Sequence, residues 1–226
     1  MKTLIRILFI ACCFFCSAFC FGQEIEWQKT IGGSDQDQLH SIAITKEGGY
    51  IIGGSSTSNI SGEKNENSYG GFDYWILKLD NSLNIIWQKT IGGSADDELY
   101  SVFQTFDGGY LCGGYSGSTI SGNKTDSCFG GRDYWIVKLD GNGNILWQRV
   151  LGGDNDDFLF SLSETFDHGF ICGGYSSSGA SGNKTENNCG GGRFLDPKTR
   201  FYWQHRMAKY HWREFRRLAF ICETNT

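Results

Sequence analysis

Asp133 to Gly153 reads DYWIVKLDGNGNILWQRVLGG, and Asp73 to Gly93, 60 positions earlier, reads DYWILKLDNSLNIIWQKTIGG. The same step of 60 relates Trp27, Trp87 and Trp147, and the pairs Gly32-Gly33, Gly92-Gly93 and Gly152-Gly153. A fixed period of this length marks a repeat architecture, in which each unit buries its apolar face against its neighbours. Three repeats follow from it, 27–86, 87–146 and 147–192.

Within the second repeat, Leu99 to Thr105 alternates and ends at Phe106-Asp107-Gly108-Gly109, a hairpin turn signal. Tyr110 to Tyr115 is the return strand, and its Gly113-Gly114 marks a close approach by another backbone or a large side chain. Residues 117–132 form a Ser/Gly/Asn/Thr loop without periodicity. Tyr134 to Leu139 is a third strand, rich in β-branched and aromatic residues. Asp140-Gly141-Asn142-Gly143-Asn144 turns it into a fourth, Ile145 to Leu151. No segment has helical periodicity. Four antiparallel strands per repeat, with a long loop in a constant place, predict an all-β fold of β-propeller-type blades. A β-solenoid is the competing architecture, but its coils are usually shorter than this repeat. Glu24 to Trp27 matches Asn144 to Trp147, a fourth strand without a third before it. A terminal strand of that kind is expected to complete a blade at the other end of the chain.

Lys2 and Arg6 precede an apolar run from Ile7 to Phe21, which reads as a secretory signal peptide over residues 1–22. No other apolar stretch approaches spanning length, so no membrane span is expected after its removal. A lipoprotein reading of Phe9-Ile10-Ala11-Cys12 would leave a very apolar mature start, and export fits better. Residues 23–192 carry 10 Lys+Arg against 22 Asp+Glu. That excess of negative charge argues against a nucleic-acid partner, which needs a basic face.

Four of the nine cysteines, Cys12, Cys13, Cys16 and Cys20, lie in the expected signal peptide. Cys112 and Cys172 are equivalent, and the first repeat has Ile52 there; Cys128 and Cys189 lie in the following loop, where it has Ser68 and Tyr69. Both members of each pair are present in repeats two and three and both absent from repeat one. This favours intra-repeat disulfides, Cys112–Cys128 and Cys172–Cys189, in an oxidising compartment. Free thiols packed as small hydrophobes are the other reading. The spacing fits no zinc pattern.

The string GGSADDELYSVFQTFDGGYLCGGYS followed by RDYWIVKLDGNGNILWQ resembles the secreted repeat proteins of Bacteroidetes-type bacteria, over residues 27–192. The resemblance implies β-propeller blades, a surface or extracellular location and, in many members, a C-terminal sorting domain for type IX secretion. It implies little chemistry. With three repeats and no sorting domain, the expectation is an incomplete ring, since closed propellers have about four to eight blades.

After Gly192 the repeat vanishes and the balance reverses, with 8 Lys+Arg against 3 Asp+Glu over residues 193–226. A one-nucleotide shift of frame explains the change. Three shifted codons permit one amino acid only. Trp203-Gln204 gives glycine, Met207-Ala208 gives tryptophan and Trp212-Arg213 gives glycine, matching Gly143, Trp147 and Gly152 sixty residues earlier. The tail therefore reads as out of frame, with a third strand, a fourth strand and the opening of a fourth repeat hidden in it. As written, it would be a basic aromatic segment.

Recurrent Asp37, Asp97 and Asp157, with Asp96, Asp156, Asp73 and Asp133, suggest paired carboxylates for acid/base work or calcium. An active site is seldom copied into every repeat, so these residues are expected to accept bonds from turn amides. Trp27, Trp87, Trp147, Trp75 and Trp135 could stack on sugars but are expected in the blade cores. Residues that break the repeat are better site candidates: His40 aligns with Tyr100 and Phe160, His168 with Gly108, and Arg132 with Phe72. No nucleophile elbow, HExxH, P-loop or zinc spacing occurs, so neither a catalytic residue nor a cofactor is expected. The sequence thus predicts a non-catalytic surface or extracellular interaction module. Its partner, a glycan or a surface protein, would be gripped by the loops Ser55–Phe72, Ser116–Arg132 and Ser176–Gly192. The alternatives are the propeller part of a polysaccharide-degrading enzyme and a non-functional truncated product.

Overall fold

In a computed structural model of the chain, residue 25, residues 27–187 and the backbone of Phe201–His205 and Ala219–Cys222 are described. The chain divides into two units, 1–31 and 32–226. In the first, residues 25 and 27–31 form no strand, and Ile25 and Trp27 are exposed. The terminal strand expected at Glu24–Trp27 is therefore not formed at its described positions. The expected signal peptide and Cys189 lie outside the described residues.

The second unit is all β, with no helix among the described residues. Strands β1 (Asp37–Ile44), β2 (Tyr50–Ser56), β3 (Asp73–Leu79) and β4 (Ile85–Ile91) form the first sheet, in that order. Strands β5 (Asp97–Gln104), β6 (Tyr110–Ser116), β7 (Asp133–Leu139) and β8 (Ile145–Leu151) repeat it. The third sheet contains β9 (Asp157–Glu164), β10 (Phe170–Ser176), β11 (Phe201–His205) and β12 (Ala219–Cys222). Every neighbouring pair is antiparallel, so the sheets are blade-like, and they do not close into a ring. In the third sheet Cys172 pairs with Trp203, whereas Cys112 pairs with Val137 in the second. The strand drawn from the tail thus lies six residues beyond the place the 60-residue period assigns.

Two cores hold the sheets together. Ile51, Tyr74, Ile76 and Ile91 of the first sheet meet Leu99, Val102, Tyr110, Cys112, Trp135 and Val137 of the second. Leu111, Tyr134, Ile136 and Leu151, from the other face of the second sheet, meet Leu159, Leu162, Phe170 and Cys172. Adjacent residues of β6 and β7 serve opposite cores because side chains alternate along a strand. Both faces are covered, so these two strands are buried throughout.

The glycine pairs make this packing possible. A Cβ on Gly53 would lie 2.6 Å from Leu99 Cδ2 and 2.8 Å from Val102 Cγ1. A Cβ on Gly113 would collide with Leu162, while one on Gly54 or Gly114 would strike a backbone carbonyl of the adjoining strand. At the hairpin turns, Gly48 and Gly108 have φ of 85° and 84°, and His168 holds the same place at 62°. Leu83 has φ of 64° where the next sheet has Gly143 at 82°.

The expected Cys112–Cys128 disulfide is not formed. Cys112 is a buried thiol of β6 that faces the first core. The Cys128 thiol instead donates to the carbonyls of Ser116 at 2.9 Å and Ser118 at 3.5 Å. Ser68 Oγ does the same for Ser56 and Ser58 in the first sheet. The residues share a loop position because it requires a short donor. Cys172 is likewise a free, buried thiol.

Candidate functional site

The repeated carboxylates organise the sheet junctions. Asp37, Asp97 and Asp157 each open the first strand of a sheet, and each accepts the amide of the glycine four residues before it, Gly33, Gly93 and Gly153. Ser118 and Ser178 add hydroxyl donors at 2.9 and 2.7 Å. Asp73 and Asp133 accept the amides of Tyr69 and Phe129, four residues back. Asp96 and Asp156, just before these strands, accept the amides of Phe72 and Arg132, which lead into the third strand of the preceding sheet. Asp140 closes its turn by accepting from Asn142 and Asn144. These are the turn-amide roles expected of recurrent aspartates.

The structure also pairs carboxylates that are far apart in sequence. Asp73 lies beside Asp97, and Asp133 beside Asp157, across successive junctions. All four are buried, and the Oδ1 of each has no hydrogen-bond partner. Burial first, and then the neighbouring aspartate's charge, push Asp73 and Asp133 up to about 6, against the pull of the Tyr69 and Phe129 amides. Asp97 is raised as well, mainly by burial. Nearby Lys64 and Lys124 are pulled down by burial. Below about pH 6 a proton on Asp73 or Asp133 relieves the repulsion. These groups face the junction and not solvent, so their chemistry is cohesive. Among the described residues, no group of three or more His, Cys, Asp or Glu is placed to hold a metal.

The long loops are built into the junctions too. Ser58, Ser118, Ser178, Lys64, Lys124 and Lys184 are all buried in them. Lys64 donates to Thr90 Oγ1 at 2.6 Å and to the Glu66 carbonyl at 2.9 Å. The second sheet has Val150 at the position of Thr90, and Lys124 lies 5.1 Å from the Trp135 ring. The loops' other residues are largely exposed, among them the apolar Ile60, Tyr69, Ile120 and Phe129.

The residues that break the repeat come together elsewhere. The register of each first strand shifts at a β-bulge, and the bulged residues are His40, Tyr100 and Phe160. His40 stacks on Tyr100 at 4.4 Å between centroids, and Tyr100 meets Phe160 edge-on at 5.3 Å. His40 Nδ1 donates to the Leu99 carbonyl at 2.6 Å, which places the ring's proton on Nδ1. Tyr100 Oη donates to Glu98 at 3.2 Å. A bulge re-aims a side chain out of the ladder, and three in register make a row. The other candidates have structural partners. Arg132 pairs with Asp96 at 3.7 Å and lies 5.9 Å from the Tyr115 ring. His168 pairs with Glu164 at 3.5 Å and abuts Phe106.

Trp75 and Trp135 are buried and donate to Gln88 and Gln148, while Trp87 and Trp147 are half-buried against the cores. All four are core residues, as expected; Trp27 is exposed and is not. No helix among the described residues is long and apolar enough to cross a membrane, a finding without bearing on strand-built spans. No protein-family model and no curated protein matches the sequence.

Proposed function

We propose that this chain is an exported, non-catalytic binding module built from propeller-type blades, of the kind found in secreted Bacteroidetes repeat proteins. One observation carries the reading. The repeated polar residues are consumed by the junctions, whereas the three bulged positions carry different rings, His40, Tyr100 and Phe160, on a constant backbone. Variable rings on a fixed scaffold suit recognition better than turnover.

The partner class we assign is a surface polysaccharide, whose apolar sugar faces stack on aromatic rings while its hydroxyls meet Glu98 and Nε2 of His40. A glycan array probed with the purified chain tests this. Retention of a polysaccharide, weakened at least tenfold by Tyr100→Ala and without release of reducing ends, is the expected result. Release of reducing ends that stops on replacing a carboxylate would make the chain part of a degrading enzyme instead. Absence of any glycan signal would sink the assignment.

A further inference from the structure

We propose that two copies of this chain join head to tail, each free sheet face of one capped by the opposite face of the other, closing three sheets from each into one ring. The junctions within the chain supply the template. At the first, Leu99 and Val102 are 0% and 2% exposed, packed over Gly53, and Val102 N donates to Ser41 Oγ at 3.1 Å. At the second, Leu159 and Leu162 pack over Gly113, and Leu162 N donates to Ser101 Oγ at 3.2 Å. A junction is therefore an apolar pair and an amide from one first strand, received by a glycine and a serine of the sheet before it.

Each end of the three-sheet array carries one half of that pattern. At the head, Leu39 and Ile42 stand where Leu99 and Val102 stand, yet they are 63% and 53% exposed. At the tail, Ile171 and Gly173 are half-buried, whereas the equivalent Ile51 and Leu111 are fully buried and Gly53 and Gly113 are covered. Ser161, the counterpart of Ser41 and Ser101, is exposed and free to receive the Ile42 amide.

The turn contacts match the ends to each other and not to the internal junctions. Internally, Gln104 accepts the Lys46 amide at 2.7 Å and Glu164 accepts the Phe106 amide at 2.8 Å. The head has apolar Ile44 in place of these acceptors, and the tail turn presents Phe166; both are among the most exposed apolar side chains of the described chain. Ile44 cannot receive an amide, but it can cover a phenyl ring. A polar contact at both internal junctions thus becomes an apolar one at the end junction.

Head and tail are different surfaces, so one contact alone would propagate. A two-fold axis satisfies both at once if each chain spans half the ring, and six sheets fall within the range of about four to eight known for closed rings. The occupant is then a second copy, because it alone brings both faces in equal number.

Light scattering on the purified chain, at about 50 μM, tests this. The expected mass is twice the 25.2 kDa of one chain. Ile42→Glu at the head and Phe166→Asp at the tail should each yield monomer with unchanged circular dichroism; Phe166 sits on a solvent-facing turn, so its replacement cannot unfold the sheet. Mixing the two variants restores one intact head and one intact tail and should recover a dimer, held by a single junction and at least 100-fold weaker. A monomeric parent chain, an open ladder of larger species, or a dimer indifferent to both variants would overturn the proposal.

Discussion

Strands β1 and β5 occupy equivalent places in adjoining sheets, and they differ in what lies in front of them. Leu99 and Val102 of β5 are buried against the first sheet, whereas Leu39 and Ile42 of β1 face solvent. One short apolar pattern is thus core in one copy and surface in the other. The unit of cohesion is therefore the junction and not the sheet. A sheet of four strands buries little of its own side-chain area until a neighbour arrives.

Truncating the same side chain in both strands separates the two surfaces. Leu99→Ala should cost about 2–5 kcal/mol of unfolding free energy, as a large-to-small change in a packed core does. Leu39→Ala should stay within about 0.5 kcal/mol at nanomolar concentration, where no second copy covers it. Urea titrations of both variants decide the matter, and equal losses would mean that β1 is already covered.

A second test uses protons. For Asp73 and Asp133, held near 6 in the folded chain and near the ordinary carboxylate value when unfolded, the folded state binds more protons between about pH 4 and 6. Their contribution to stability is full below about pH 4, is lost as pH rises through 6, and is level beyond it. Asp107, held down to about 2 by Thr105, Gly109 and Lys138 against its burial, acts in a lower window and does not mask the trend. The fall should be about 1–3 kcal/mol per carboxyl, and Asp133→Asn should remove its share. Thermal melts from pH 4 to 7 would show it, and a rise over that span would contradict the carboxylate pairing.

A smaller difference separates the two buried lysines. Lys64→Met abandons Thr90 Oγ1 and a carbonyl, and should cost about 1–3 kcal/mol. Lys124→Met removes an amine that has no hydrogen bond, and should change stability by less than about 1 kcal/mol. Smallest of all, Cys128→Ser should move the melting temperature by no more than about 2 °C, with or without reductant, because serine already fills this place as Ser68.

Most of the strand plan was legible because the repeat prints it several times. The strands expected at Leu99–Thr105, Tyr110–Tyr115, Tyr134–Leu139 and Ile145–Leu151 appear within two residues as β5 to β8. The close approach marked by Gly113-Gly114 is met by Leu162 and by the backbone of the adjoining strand. Less legible was anything made between sheets. The Asp73–Asp97 pairing spans 24 residues, while the eye is drawn to Asp96-Asp97, whose side chains accept from different amides. Cys112 and Cys128 recur together for separate reasons, one as core and one as donor, and co-occurrence cannot distinguish that from a bond. His40, Tyr100 and Phe160 aligned in the repeat, but their contact depends on the bulge, which no residue type announces.

The left-handed turn residues bear on the order in which the array comes apart. The first sheet carries Leu83 and the third His168 in a conformation that costs a non-glycine residue about 1–2 kcal/mol. The middle sheet has glycine at both places, Gly108 and Gly143. Its hairpins store no such strain, and it is also the sheet covered on both sides. Opening should begin at the outer hairpins and travel inward, so amides of β6 and β7 are the last to exchange with deuterium.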